Sequence, residues 1–176
     1  MVERIAERRR DPEPRETVYD SLRRIDNDRI RGRETGQVVV KGKELGWEQG
    51  RQGLIKFYSY DAIWDKQGVT GWRIFINRIK KHSGKHVHQG GLALFVLGGK
   101  GYTVVDGSRY DWAEDDLILL PMKPNGCEHQ HFNEDPNTPA EWLAFIFTPL
   151  RDPALEEFVQ KEDHPDWMGA KTSAPK

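Results

Sequence analysis

The sequence has one cysteine, Cys127, so no internal disulfide framework holds this chain together. That usage fits a reducing compartment. Long apolar runs are missing too: none approaches the roughly 20 residues that a membrane-spanning helix needs. Charge of one sign is not in excess, with 27 Lys and Arg against 28 Asp and Glu and a formal net charge of -1. This balance excludes a global basic field for holding nucleic acid or an anionic membrane surface. The first ten residues, Met1 to Arg10, lack the apolar stretch of a secretory leader, and a cytoplasmic location is expected. No glycine-rich phosphate loop, zinc-finger spacing or internal repeat is found. A chain of 176 residues is the size of one domain with a short arm at either end.

Three regions follow from the texture of the chain. Residues 1–35 are dense in charge of both signs, and within them Val18, Leu22 and Ile25 recur at helical spacing. Pro12 and Pro14 precede this stripe and Gly32 follows it, which predicts a helix from Glu16 to Asn27. Acids cancel the arginines locally, so a salt-bridged helix on the domain or on a partner is favoured over an RNA-binding arm. Residues 36–150 read as short strands. Trp72 to Ile79 alternates with period two, Leu92 to Leu97 is apolar on both faces, and Leu117 to Leu120 and Trp142 to Phe147 are further runs. Tyr102 to Val105 meets Ser108 to Trp112 through Asp106-Gly107, the residue pair that a type I′ hairpin favours. Such a set predicts an all-β barrel or sandwich. An open strand edge is expected near Gln37–Val40, where a second copy could pair. Residues 151–176 offer a short helix, Ala154 to Lys161, and a tail.

The chemistry lies in the histidines. Of His82, His86, His88, His129, His131 and His164, four form two His-x-His pairs, His86-Val-His88 and His129-Gln-His131. Side chains alternate along a strand, so both members of a pair face one side. Two imidazoles so placed, with a third from another strand, can bind one metal and leave positions open. His82 lies in a lysine-rich turn and His164 in the tail, and neither is given a role. Cys127, two residues before His129, is either a small buried hydrophobe or a thiol within reach of the metal.

Residues 86–133 resemble the cupin superfamily. Its first motif runs His-x-His, three or four residues, Glu, six residues, Gly. Here His86-Val-His88 is followed by Gln89-Gly90-Gly91, then Leu92, with Gly99 in the expected place. Its second motif ends Pro-x-Gly-x-x-His-x-x-x-Asn, and Pro124-Asn-Gly126-Cys-Glu-His129-Gln-His-Phe-Asn133 matches each position. The resemblance implies a cupin barrel (a double-stranded β-helix, or jelly roll) with an N-terminal helical arm and a short C-terminal helix. It also implies a metal held by His86, His88 and His129. Leu92 stands where the motif glutamate would be a fourth ligand, so the ligand set carries no charge.

Three-histidine cupins without that glutamate include gentisate-type ring-cleaving dioxygenases and diketone dioxygenases. The stretch from His86 to Gly107 is similar to the gentisate type, which is usually longer and carries two cupin domains. The resemblance therefore implies a mononuclear iron(II) dioxygenase that chelates an oxygen-bearing aromatic or enolisable small molecule and activates dioxygen. Imidazoles also suit zinc, manganese, nickel and copper, which leaves open a Lewis-acid isomerase, lyase or decarboxylase, or a non-enzymatic binding cupin. His131, on the same face as His129, is the alternative third ligand; with His129 preferred there, it is assigned an acid, base or donor role, against the plainer reading of a satisfied barrel histidine. Arg78, Phe95, Trp142 and Phe145 are the candidates for touching substrate. A homodimer is expected, with no nucleic-acid or membrane partner.

Overall fold

Eleven strands and one long helix form from the alternating runs among residues 16–150 and 159–169, which the computed structural model describes. The helix α1 spans Val18–Thr35. The strands are β1 (Glu48–Gly50), β2 (Gly53–Ser59), β3 (Trp72–Ile79), β4 (Lys85–His88), β5 (Leu92–Gly98), β6 (Lys100–Val105), β7 (Ser108–Ala113), β8 (Leu117–Leu120), β9 (Cys127–Asn133), β10 (Ala140–Phe147) and β11 (Val159–Glu162). They form a six-stranded sheet in the order β1-β2-β3-β10-β5-β8 and a five-stranded sheet in the order β11-β4-β9-β6-β7. Strand neighbours in both sheets are antiparallel. The hairpin at Asp106-Gly107 forms as its composition predicts, with φ of 47° and 83°.

The pairing of β3 with β10 sets the phase of the inner face. Ala140 faces Ile79, Trp142 faces Asn77, Ala144 faces Phe75 and Ile146 faces Arg73. Large residues thus oppose small ones at two of the four positions, which lets two sheets approach closely. The core between the sheets includes Ile79, Leu94, Val96, Val105, Trp112, Leu120, Cys127 and Trp142. On β6, Gly101 has no room for a side chain: a Cβ there would meet the Phe132 carbonyl oxygen at 1.9 Å and the Trp112 ring at 2.8 Å. This glycine lets Trp112 lie against the strand.

Four expectations are corrected. The helix runs eight residues beyond Asn27, to Thr35, and starts at a capping box in which Thr17 and Asp20 satisfy each other's amides. Gly32 does not stop it. It is buried inside the helix, where a Cβ would lie 3.1 Å from the Asp65 carbonyl oxygen of a 3-10 helix, Asp61–Lys66. The absent side chain lets the two segments cross. Val18 and Leu22 are exposed, so the apolar stripe is not buried on the barrel. Gln37–Val40 is not a strand; Gln37 makes one isolated bridge to Gln67, and Val38 and Val39 face solvent. The helix expected at Ala154 to Lys161 falls partly outside the described residues. Its last part is strand instead, because Val159 and Gln160 pair with Val87 and His86 at the edge of β4.

Candidate metal centre

Strands β4 and β9 are hydrogen-bonded neighbours, with His86 opposite His129 and His88 opposite Cys127. Period two along β4 puts His86 and His88 on the face that His129 shares. Ring centroids lie 4.1 Å apart for His86–His129, 4.7 Å for His88–His129 and 5.2 Å for His86–His88. One nitrogen from each ring falls within 4.8 Å of the others, and all three residues are buried.

Hydrogen bonds fix how two of these rings present themselves. His129 Nδ1 lies 2.9 Å from the Cys127 carbonyl oxygen, which can only accept. The ring therefore carries its proton on Nδ1 and offers the Nε2 lone pair. The Gly90 amide donates to His88 Nδ1 at 3.0 Å. That places the neutral His88 proton on Nε2, so ligation by Nε2 requires the proton to move and the Gly90 amide to give way. Burial, foremost, and the neighbouring imidazoles hold His86 well below the usual histidine range and bring His129 down to about 4. Both are neutral at pH 7, the form that binds a divalent metal. The donor set therefore fits a metal ion. Leu92 is buried and lines the same cavity, so no carboxylate joins the set from that position.

His131 lies outside this cluster, 5.6 Å from His129 between ring centroids. Its Nδ1 is engaged by Thr103 Oγ1 at 2.7 Å, and the Trp112 indole N–H donates to the same oxygen at 2.9 Å. The hydroxyl oxygen can accept from both rings or accept from one and donate to the other, so the contact ties His131 to Thr103 in either tautomer. Burial keeps His131, too, well below its ordinary pKa.

The histidines open on a cavity of about 170 Å³ between the sheets. Ile55, Phe57, Phe75, Leu94, Trp142 and Ile146 give it apolar walls, and Gln52, Arg73 and Asn77 are its polar residues besides the four histidines. Of the four residues expected to touch substrate, only Trp142 is there. The Arg78 guanidinium points out of the barrel, where it pairs with Glu141 and stacks 4.4 Å from the Trp47 ring centre. Phe95 and Phe145 alternate with inward residues and lie on the outer face of the six-stranded sheet. The arginine that does line the cavity is Arg73, which makes a bidentate pair with Asp61. Buried Ile79 fixes the phase of β3, and counting back by twos from it selects Asn77, Phe75 and Arg73. Cys127 is buried and its thiol is pushed up by burial, so it is a packing residue outside the imidazole cluster. His164, given no role by the sequence, is buried and accepts the Asp166 amide at 3.1 Å, fastening the segment after β11.

The cupin domain family model matches residues 78–146. The barrel has the cupin fold. Among solved structures it is similar to Pac13, a nucleoside dehydratase, at a TM-score of 0.51 and 11% identity, covering 74% of this chain and 97% of that one. A Streptomyces PAC13 variant with uridine matches at 0.51 and 11%, covering 74% and 96%. A salicylate 1,2-dioxygenase variant from Pseudoaminobacter salicylatoxidans, in complex with gentisate, matches at 0.50 and 19%. That alignment covers 89% of this chain but 40% of the dioxygenase. At these identities the likeness is one of fold. No curated protein matches the sequence.

Proposed function

We propose that this cupin is a mononuclear non-haem iron(II) dioxygenase acting on an oxygen-bearing aromatic or enolisable small molecule. The observation that carries the reading is the buried, neutral cluster of His86, His88 and His129, opening on an apolar cavity with Leu92 in the carboxylate position. Three uncharged ligands would leave a divalent ion its full charge and suit a substrate that binds through two oxygens. When bound, the metal supplies Lewis acidity to those oxygens and redox contact with dioxygen. The chain's own part is placement. Phe75, Trp142 and Ile146 would flank a planar ring, and Leu92 and Leu94 keep water from it. His131, kept neutral by burial, is an imidazole beside the site that could give or take a proton.

The test is metal analysis of anaerobically purified protein, followed by oxygen uptake with hydroxylated aromatic acids and diketones. Stoichiometric iron with substrate-dependent uptake is expected. Zinc or manganese with turnover that needs no oxygen would replace the dioxygenase by a Lewis-acid lyase, isomerase or decarboxylase. The Pac13 likeness makes dehydration of a nucleoside the first such reaction to assay.

We also propose a cytoplasmic homodimer. No helix among the described residues is long and apolar enough to cross a membrane. Support for the dimer comes from the outer face of the six-stranded sheet. There Leu117, Phe95, Leu143 and Ile76 stand side by side across four strands, and Leu119, Ala93, Phe145 and Ile74 form the next row. Leu117 and Leu119 are 55% and 67% exposed. An apolar face of this breadth, exposed at Phe95, Leu117 and Leu119, suits a second copy. Light scattering at micromolar concentration is expected to give a dimer that Leu119→Glu converts to monomer. A monomeric wild type would overturn the assignment.

A further inference from the structure

One ion pair stands where two cavities meet. Outside the metal cavity lies a second hollow of about 720 Å³, walled by Leu45, Phe57, Tyr60 and Ile63 and carrying Glu48 and Asp61. Phe57 and Arg73 line this hollow and the metal cavity alike. Arg73 shares the inward phase of β3 with Phe75 and Asn77, so its side chain points between the sheets. There its Nη2 donates to both Asp61 carboxylate oxygens at 3.0 Å.

The pair uses little of what Arg73 offers. A guanidinium carries N–H donors on all three nitrogens, and Nη1 and Nε bond to nothing among the described residues. The two partners are also unequal: the Asp61 side chain is 55% exposed and that of Arg73 26%. A pair with one half-exposed member contributes little, and water can take over its carboxylate at small cost. Arg73 is the one arginine or lysine on either wall among the described residues, whereas Glu48 and Asp61 are both acids. An entering anion therefore has Arg73 alone to settle on. Asp61 opens the 3-10 helix Asp61–Lys66, which crosses α1 at Gly32 and is tied to the Trp72 carbonyl by the Trp64 indole at 2.8 Å. The segment is anchored at those points, while the Asp61 side chain is open to solvent.

We propose that Asp61 fills the place of a ligand carboxylate: at the junction of the two cavities, Arg73 exchanges Asp61 for a carboxylate on the substrate. The substrate class is then a planar chelating molecule whose carboxylate is remote from its metal-binding oxygens and lies towards the outer hollow. This assignment rests on the reading that the three histidines hold a metal and the substrate chelates it. A carboxylate that reaches Arg73 from the metal side meets donors that Asp61 leaves unused, in surroundings less screened than the outer surface.

The test uses the full chain, loaded with cobalt(II) under anaerobic conditions, and calorimetry with substituted catechols. Each bears a carboxylate on the ring directly or through a short methylene spacer, and is compared with its methyl ester and with an amine on the same spacer. The wild type is expected to favour the best acid over its ester by roughly tenfold or more. Asp61→Asn should tighten that acid by about threefold, because the competing carboxylate is gone, and leave the ester as before. Arg73→Gln should bring the ratio of acid to ester to about one. Neither side chain makes another hydrogen bond among the described residues, so each substitution removes this pair and no second bond. Should Arg73→Gln fail to fold, Asp61→Asn decides alone. Acid binding that is unchanged or weaker in Asp61→Asn overturns the exchange. Metal-dependent binding with no preference for the acids, or with a preference for the amines, overturns it too and leaves the chelation reading standing. Stoichiometric metal with no binding of any probe overturns both.

Discussion

Replacing His129 by alanine is expected to weaken metal binding by about a hundredfold or more, because a three-ligand site reduced to two loses both affinity and geometry. Plasma mass spectrometry of protein purified without oxygen would read it, with His129→Gln as a variant that better keeps the volume of this fully buried ring. His129 is the member that the other two share: His86 faces it across the β4–β9 ladder and His88 packs edge-on against it. Its Nδ1–H is tied to the Cys127 carbonyl, which aims Nε2 as the ligand atom. His131 lies outside the cluster of three, with its Nδ1 engaged by Thr103. His131→Ala should accordingly retain metal while losing turnover. Stoichiometric metal in the His129 variants together with metal loss in His131→Ala would exchange the two assignments.

Much of the barrel is legible in the sequence because its strands bury one face, and burial of one face enforces period two. Trp72 to Ile79 and the Asp106-Gly107 hairpin are read directly in this way. The His-x-His pairs are legible for the same reason, since alternation alone puts each pair on one side. What is not legible depends on phase and on partners distant in sequence. Choosing Arg78 over Arg73 for the cavity is an error of phase in β3, and the register with β10 settles it. Leu92 to Leu97 is apolar on both faces, but only Leu92, Leu94 and Val96 reach the core. Phe95 and Leu97 belong to the uncovered outer face. Gln52 sits in the turn between β1 and β2, far in sequence from either histidine motif, and lines the cavity while its amide meets Gln160 of β11. Gly32 carries two opposite meanings, a helix stop or a close crossing, and the contact with Asp65 decides for the second.

Acidification is expected to destabilise the metal-free protein well before its carboxylates protonate. His129 is held at about 4 by burial, against 6.5 for an exposed imidazole. The sign follows from proton counting. Below 6.5 the unfolded chain binds a proton at this position and the folded one does not, so stability is full above that value and falls as pH drops towards 4. Between pH 7 and pH 5 this one residue should cost about 2 kcal/mol. His86 and His131, both lowered chiefly by burial, act in the same direction, as does His164. The lowered carboxylates, Glu16, Asp20, Asp106 and Asp135, lie on the surface and weaken the fold only below their unfolded values of 4.5 for the glutamate and 3.8 for the aspartates. The window from 6.5 to 4.5 therefore belongs to the buried imidazoles. Urea midpoints at pH 7 and pH 5 would measure it, after removal of metal by a chelator. A midpoint that does not move over this range would contradict the neutral, buried state on which the metal site depends. Metal added at pH 7 should raise the midpoint, because it binds the folded imidazoles as neutral ligands, and the gain should fade as protons compete for the same nitrogens.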